Sequence, residues 1–294
     1  MSLIESALEL EEIDVNYYRS RTLRIPLGGR GVFGGQIVGQ ALVAAIKTTP
    51  KEFNVHSLHS YFVLPGDNII PILYEVERIR DGKSYCTRTV KAIQKGRCIF
   101  TLICSFTVTE PSGIEHQYPM PECLEELMRE FVKQEKVPRW YAKYLEKKLE
   151  LENSPIEIRN TEILEVNDLL YPKQSNNQKM WIKAKGKLGD DISFHKSAIA
   201  YASDFSLLYT AARPHGISPI SKMRIGMLAS LCHSIWFHDS NFRADEWLLY
   251  TMETPKAAGG RALASGRIYT QDGRLIVSVS QEGVLRLDKK KSKI

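Results

Sequence analysis

One segment of this chain occurs twice, and this internal repeat limits the possible folds more than any other feature. Residues 92–108 read AIQKGRCIFTLICSFTV, and residues 269–285 read YTQDGRLIVSVSQEGVL. In each copy a Gln-x-Gly-Arg turn leads into a strand-like apolar run, and Gly accepts the positive φ that a tight hairpin needs. The sequence therefore predicts two structural units of the same kind in one chain.

A long apolar segment precedes the strand block of each repeat and is typical of a helix. Residues 33–47, FGGQIVGQALVAAIK, predict a buried helix with closely packed glycines. Residues 195–212, HKSAIAYASDFSLLYTAA, predict a second, amphipathic helix, because their apolar residues recur at helical spacing. The apolar face of this second helix carries Ala198, Ala202, Phe205, Tyr209 and Ala212.

Extended runs rich in Val, Ile, Tyr, Phe and Thr follow each helix. In the first repeat they are 56–63, 70–80, 84–94 and 97–109, and in the second they are 229–238, 246–255, 260–271 and 274–287. Asp81-Gly82 and Asp272-Gly273 mark hairpins between them. Each repeat therefore predicts a long helix that covers the apolar face of an antiparallel sheet, which is an α+β architecture.

The composition changes between the repeats and again at the end of the chain. The Pro-rich stretch EPSGIEHQYPMPE is followed by two charged, helix-like segments. We therefore predict an N-terminal repeat at 1–110, a linker with surface helices at 111–155, a C-terminal repeat at 156–288 and a basic tail at 289–294.

Composition excludes several classes of protein. The net charge of +6 suits a phosphate-bearing substrate but is too small for a nucleic-acid-binding surface. No apolar run approaches the roughly 18 residues of a membrane span. The cysteines are odd in number and form no C-x-x-C pair or metal spacing, so we expect reduced thiols in an intracellular protein and no metal site. They are Cys86, Cys98, Cys104, Cys123 and Cys232.

Five motifs follow one another along the chain: VFGGQIVGQAL, LHSYFVLPGD, HSIWFH, EWLLY and YTQDGRLIVSVSQEGV. Together they resemble the acyl-CoA thioesterase II family, over about residues 10–110 and 180–287. The resemblance implies a double hotdog fold, with two helix-and-sheet repeats in one chain. It also implies hydrolysis of acyl-CoA thioesters to free fatty acid and CoA, with no cofactor besides the CoA of the substrate, in a homo-oligomer.

Asp204 is an acid within the predicted second helix, with Tyr201 and Leu208 as helical neighbours. Burying a lone carboxylate is costly unless it is hydrogen-bonded or functional. The residues alone leave open an Asp that caps a loop or points to solvent. The motif Ala-Ser-Asp-Phe aligns with the family's catalytic aspartate, and the resemblance therefore implies that role for Asp204.

Ser230 and Gln281 lie in predicted strands of the second repeat. From the residues alone, either one could be a strand residue that faces water. The resemblance implies that they complete a catalytic trio with Asp204, so that the C-terminal repeat carries the catalytic residues. The Asp would take a proton from water while Ser and Gln orient it. Backbone N–H groups at Gly34 and Gly35 would stabilise the oxyanion; direct attack by Asp204 stays open.

Two histidines occupy related places in the repeats, and we expect a paired structural role for His59 and His233. Cys232 stands where many members of the family have Asp, and strand alternation places it on the face opposite His233. The first-repeat helix carries Gln36 and Gln40 but no acid. We therefore expect only one repeat to be catalytic.

Two other functions remain open at this point. A hotdog-fold acyl-CoA hydratase or dehydratase pairs an Asp with a His a few residues downstream, but Tyr209 occupies the position five after Asp204. A non-catalytic acyl-CoA-binding module would not need the Asp/Ser/Gln trio. A serine hydrolase is disfavoured because the sequence has no G-x-S-x-G motif.

The sequence ends in Ser292-Lys293-Ile294, which resembles the Ser-Lys-Leu peroxisomal address. We expect the peroxisomal import receptor to bind this end and the protein to reside in peroxisomes. The alternative is a cytoplasmic protein whose tail is only a solvated basic run.

Overall fold

The computed structural model describes residues 1–26, 29–110, 113–121, 154–161, 175–217 and 223–288. The charged linker segments predicted as surface helices and the tail at 289–294 lie outside these ranges. The predicted domain boundaries therefore stay predictions. In the described part of the chain, no helix is long and apolar enough to cross a membrane.

The first repeat has two helices and six strands in the described residues. They are α1 Leu3–Leu8, β1 Leu10–Asp14, β2 Tyr17–Ser20, α2 Gly34–Lys47, β3 Asn54–Phe62, β4 Leu73–Asp81, β5 Tyr85–Gln94 and β6 Arg97–Thr107. The predicted helix and the four predicted strands are confirmed to within a few residues. The elements α1, β1 and β2 were not predicted.

The described part of the second repeat follows the same order. Its elements are β7 Ile156–Asn160, β8 Asn177–Ala184, α3 Ile192–Ser203, a 3-10 helix Leu208–His215, β9 Ile225–Phe237, β10 Leu248–Ala258, β11 Arg261–Tyr269 and β12 Leu275–Leu287. The four predicted strands are again found near their expected positions, whereas β7 and β8 were not predicted.

All twelve of these strands form one antiparallel sheet, in the order β1-β2-β4-β5-β6-β3-β9-β12-β11-β10-β8-β7. Counting inward from either edge gives the same succession, since β1, β2, β4, β5, β6 and β3 correspond to β7, β8, β10, β11, β12 and β9. The halves meet where β3 pairs with β9 and Leu58 lies opposite Ile235. The repeat read from the sequence is therefore also a repeat of topology.

The predicted hairpin turns are present in both repeats. Lys95 and Gly96 have φ values of 51° and 69°, and they form the two-residue connection between β5 and β6. Two consecutive positive φ angles match the twist of the strands that they join. Gly273, between β11 and β12, has a φ of 88°.

Helices α2 and α3 pack against each other, and α2 also packs against β4, β5 and β6. One buried apolar cluster includes residues of both helices and of both halves of the sheet. Glycine makes the close approach of the helices possible. A Cβ added at Gly35 would lie 2.3 Å from the carbonyl oxygen of Tyr201, and one at Gly39 would lie 3.2 Å from that of Ser197.

The prediction of a continuous helix over 195–212 is wrong. Helix α3 begins at Ile192, where the Asp191 carboxylate caps the N–H of Ser193, and it ends at Ser203 with Asp204 as its C-cap. Ser206 has a φ of 61°, which a helix cannot accommodate, and the chain resumes as a 3-10 helix. Asp and Ser side chains compete for backbone hydrogen bonds, which favours a helix end here.

We predict that Gly35→Ala destabilises the fold by about 1–3 kcal/mol, because the added methyl group meets a backbone oxygen that side-chain motion cannot clear. Thermal or urea unfolding measures this change. Gly189→Ala is the matched control, since a Cβ there meets nothing within 4 Å, and it should change stability by less than about 0.5 kcal/mol. Equal stability of the two variants would contradict the close helix contact.

Candidate active site

Asp204 lies where α3 ends, and its carboxylate accepts hydrogen bonds from both repeats. Oδ1 accepts from Gln281 Nε2 at 2.7 Å and from Ser230 Oγ at 3.4 Å. Oδ2 accepts from the backbone N–H of Gly35 at 2.8 Å. The structure therefore brings the three predicted site residues together, and it adds a donor from the first turn of α2.

The two glycines that begin α2 make room for this carboxylate. A Cβ added at Gly34 would lie 2.8 Å from Asp204 Oδ2, which is too close for a normal contact. The N–H of Gly35 donates to the Asp204 carboxylate. This contact differs from the one with the substrate oxyanion that was predicted for it. The positive end of the α2 dipole also faces the negative charge, which favours the ionised form.

Gln281 and Ser230 lie on neighbouring strands, β12 and β9. The Gln281 amide nitrogen donates to Ser230 Oγ at 2.5 Å as well as to Asp204. The Gln281 residue is 1% exposed, whereas Ser230 and Asp204 are partly exposed. The polar cluster is therefore buried on the Gln281 side and open to solvent on the other.

A β-bulge in β9 gives Ser230 its direction. Glu282 pairs with Cys232 and Gly283 pairs with Ser230, so Leu231 is the extra residue between them. Side chains alternate along a regular strand, so Ser230 and His233 would otherwise face opposite sides of the sheet. The bulge restores both to the side of Gln281. The spacing of residues in the sequence does not reveal this bulge.

Burial raises the pKa of the Asp204 carboxyl to about 6, because the low-polarity surroundings disfavour its charge. The hydrogen bonds from Gln281, Gly35 and Ser230 act in the opposite direction. The carboxylate is thus ionised at neutral pH and still basic enough to take a proton. An unburied Asp, with a pKa near 4, would be a weaker base.

The two histidines of the repeats have different surroundings, unlike the paired role that we expected. His59 is exposed, contacts Ser234 Oγ through Nδ1 at 3.0 Å and packs edge-on against Trp236. His233 is fully buried, and its Nδ1 lies 3.1 Å from Gln281 Oε1. Cys232 is partly exposed, and strand alternation directs it away from His233.

Within the described residues, no cluster of three or more His, Cys, Asp or Glu side chains could hold a metal ion. The polar groups of the site are a carboxylate, an amide, a hydroxyl and backbone N–H groups. Such a set can activate water by accepting its proton and can hold it with hydrogen bonds. The partly exposed side of Asp204 is where a reacting molecule would approach.

The arrangement of helices and sheet is that of a double hotdog fold, as the family resemblance implied. A solved structure from Alicyclobacillus acidocaldarius, described as a conserved protein of unknown function with hot dog fold, superimposes with a TM-score of 0.76. The alignment covers 97% of this chain and 98% of that one, at 16% identity. At such low identity the likeness concerns the fold alone.

Sequence comparison identifies the family. The family model described as acyl-CoA thioesterase matches residues 157–284, and the one described as acyl-CoA thioesterase N-terminal domain matches residues 23–107. The mouse protein acyl-coenzyme A thioesterase 8 is 43% identical over 97% of this chain and 89% of its own. The chain therefore belongs to the acyl-CoA thioesterase family.

Two further relatives are similar along nearly the whole chain. The crystal structure of an acyl-CoA thioesterase II, TesB2, from Mycobacterium marinum has a TM-score of 0.74 at 36% identity and covers 98% of both chains. The Saccharomyces cerevisiae protein named peroxisomal acyl-coenzyme A thioester hydrolase 1 is 27% identical over 96% of this chain and 94% of its own.

Proposed function

We propose that this chain hydrolyses acyl-CoA thioesters with a water molecule that Asp204 activates. The observation that carries the proposal is the convergence of three donors on one partly buried carboxylate, from Gln281, Ser230 and Gly35. Membership of the acyl-CoA thioesterase family supports the substrate class and the reaction.

In the proposed reaction, water attacks the thioester carbonyl carbon and gives its proton to Asp204. Collapse of the tetrahedral intermediate breaks the carbon–sulfur bond and releases CoA as a thiolate. The proton held by Asp204 then neutralises that thiolate. Ser230 and Gln281 hold the carboxylate throughout, and the Gly34 N–H is the remaining candidate of the predicted oxyanion pair.

The contacts of Asp204 favour a base over a covalent nucleophile. Its Oδ1 already accepts from Gln281 and Ser230, and its Oδ2 accepts from Gly35. Oδ1, with both lone pairs engaged, is therefore less available to attack a carbonyl carbon, and only Oδ2 keeps a free lone pair. Proton transfer from water needs only one further lone pair on the open side of the carboxylate.

Replacing Asp204 by Asn should lower kcat/KM for acyl-CoA hydrolysis by at least about 100-fold, because the amide cannot accept the proton of water. Release of CoA thiol measures the rate. Asp191→Asn is the matched control, since Asn caps the start of α3 as well as Asp does. Near-normal turnover by folded Asp204→Asn would contradict the proposal. A wild-type chain that binds acyl-CoA without hydrolysing it would support the binding-module alternative.

The pH profile of kcat/KM should fall on the acid side with a midpoint near pH 6. Only the ionised Asp204 is a base, and burial raises its pKa to about 6, so activity should drop about tenfold per pH unit below that value. His233 does not contribute to this limb, because burial lowers its pKa to about 4. Activity that stays level down to pH 4.5, in protein that remains folded, would contradict this assignment.

We also propose a peroxisomal location. The C-terminal Ser292-Lys293-Ile294 and the name of the yeast relative support it. An address of this kind is read by its receptor at the carboxyl end of a chain.

A homo-oligomer, as the family resemblance implied, is a separate proposal. The apolar side chains of Tyr61, Ile103 and Trp236 are exposed on the outer face of the sheet and support it.

A fluorescent protein fused to the N-terminus of the chain should collect in peroxisomes when the native tripeptide ends the fusion. Deleting the three residues should leave it in the cytosol. The Ile294→Leu fusion is the matched control and should import at least as well, because Leu lacks the branch at Cβ. An even cytosolic signal from the native and the Ile294→Leu fusions alike would reject the peroxisomal address.

A further inference from the structure

His233 is a fully buried histidine that the proposed mechanism does not use. Its Nδ1 lies 3.1 Å from Gln281 Oε1, and its Nε2 lies 2.8 Å from Ser203 Oγ. Its backbone carbonyl accepts from Ser60 Oγ of β3 at 2.8 Å, which fixes the strand at this residue. Both ring nitrogens therefore have polar partners in a part of the core that excludes water.

The direction of each hydrogen bond follows from counting protons. The Gln281 NH₂ group donates to Asp204 Oδ1 and to Ser230 Oγ, so the oxygen of that amide faces His233. An amide oxygen only accepts, and Nδ1 must therefore carry a proton. Burial lowers the pKa of His233 to about 4 and keeps the ring neutral. Its Nε2 is then an acceptor, so the single proton of the Ser203 hydroxyl is directed to Nε2 rather than to the Ala200 carbonyl oxygen, which lies 2.9 Å from the same Oγ.

We propose that His233 is a positioning residue, which holds the Gln281 amide with its NH₂ group directed at Asp204 and Ser230. This inference rests on the proposed function, in which Gln281 orients the base. The donors then run in one direction: Ser203 to His233, His233 to Gln281, and Gln281 to Ser230 and Asp204. Hydrogen bonds in such a chain polarise and strengthen one another.

The need for this contact arises when Asp204 receives the proton of water. An ionised carboxylate holds the amide NH₂ group by itself, but a protonated one can donate to the amide oxygen just as well. Without a donor at His233, the Gln281 amide could then reverse and stabilise the protonated acid. With Nδ1–H in place, the reversed amide would set its NH₂ group against another donor. Reversal would therefore also require the ring to move its proton to Nε2 and Ser203 to turn its hydroxyl toward the Ala200 carbonyl oxygen. His233 thus opposes reversal of the Gln281 amide in both protonation states of Asp204.

The other ionisable groups near this chain of donors are few among the described residues. Asp204 is the acid at its end. Tyr250 donates from its hydroxyl to the Ser203 carbonyl at 2.6 Å, and burial raises its pKa well above the ordinary value. Tyr250 therefore stays neutral over the range in which Asp204 titrates, and a shift in the acid limb reports on Asp204.

Two substitutions separate positioning from simple packing. His233→Asn places an amide nitrogen near the position of Nδ1 and keeps a donor to Gln281. His233→Gln extends toward the position of Nε2, keeps a partner for Ser203 and fills more of the ring volume, but it loses the Nδ1 donor. A purely structural role predicts that Gln is tolerated at least as well as Asn. The positioning role predicts the reverse order.

We expect kcat of His233→Gln to be at least about tenfold below that of His233→Asn, with similar KM, because misaligned supporting groups cost about that much. The acid limb of kcat/KM should move to higher pH in His233→Gln and stay in place in His233→Asn. Equal losses in both variants, or an unshifted limb in His233→Gln, would overturn the proposal.

Nitrogen-15 NMR of histidine-labelled wild-type protein provides a test that depends on neither turnover nor the folding of the Gln variant. The His233 resonances, assigned by their loss in His233→Asn, should show a neutral ring protonated at Nδ1 near pH 7. A ring protonated at Nε2, or at both nitrogens, would overturn the proposal. A wild-type chain that fails to hydrolyse acyl-CoA while showing the Nδ1–H form would instead reject the proposed function.

Discussion

The contact between the first turn of α2 and the end of α3 is the constraint on which the rest of the structure depends. A residue with a side chain at position 35 would place its Cβ 2.3 Å from the Tyr201 carbonyl oxygen. Glycine removes that conflict, so the helices touch and the Gly35 N–H reaches the Asp204 carboxylate at 2.8 Å. The pairing of β3 with β9 beneath the helices joins the two halves of the sheet. The site therefore needs both repeats, although its side-chain groups come from one.

Burying a carboxylate works against stability, and the site offsets part of that cost with hydrogen bonds. An unpaired charge in the core would be very costly, whereas one that accepts three hydrogen bonds is tolerated. The bonds from Gln281, Ser230 and Gly35 lower the pKa of Asp204, and burial raises it further than they lower it. The net result, a pKa of about 6, suits a base that must first accept and then release a proton near neutral pH.

Much of this architecture could be predicted from the sequence, because it depends on periodic patterns and turn residues. The repeated Gln-x-Gly-Arg turns and the apolar helices specify the order of elements. The capping pair Ser2 and Glu5 begins α1, and its Ser-x-x-Glu motif is a helix-start signal that our prediction overlooked. The short outer strands β1, β2, β7 and β8 lack a long apolar pattern, and pairing with their neighbours stabilises them.

The details of the site were harder to predict, because they depend on contacts between distant residues. The resemblance pointed to Asp204, Ser230 and Gln281, but the helix that holds Asp204 ends earlier than its apolar pattern suggests. The extra residue at Leu231, which turns Ser230 inward, follows from strand register and leaves no mark on local composition. The environment of His233 is likewise set by Gln281 and Ser203, 48 and 30 residues away.

Equivalent tyrosines hold the central helix of each repeat, although only the helix of the second repeat ends at the Asp204 carboxylate. Tyr74 in β4 and Tyr250 in β10 are both fully buried and lie on corresponding strands. The Tyr74 hydroxyl donates to the Gln40 amide of α2, whose nitrogen in turn binds the Ala7 carbonyl oxygen and fixes α1. The Tyr250 hydroxyl donates to the carbonyl of Ser203, the residue before Asp204. Both repeats therefore use a strand tyrosine to fix their helix, and only in the second does that helix end at a carboxylate. Because the neutral amides of α2 need no solvent access, the first repeat can bury them completely and supply a rigid N-terminus to the site.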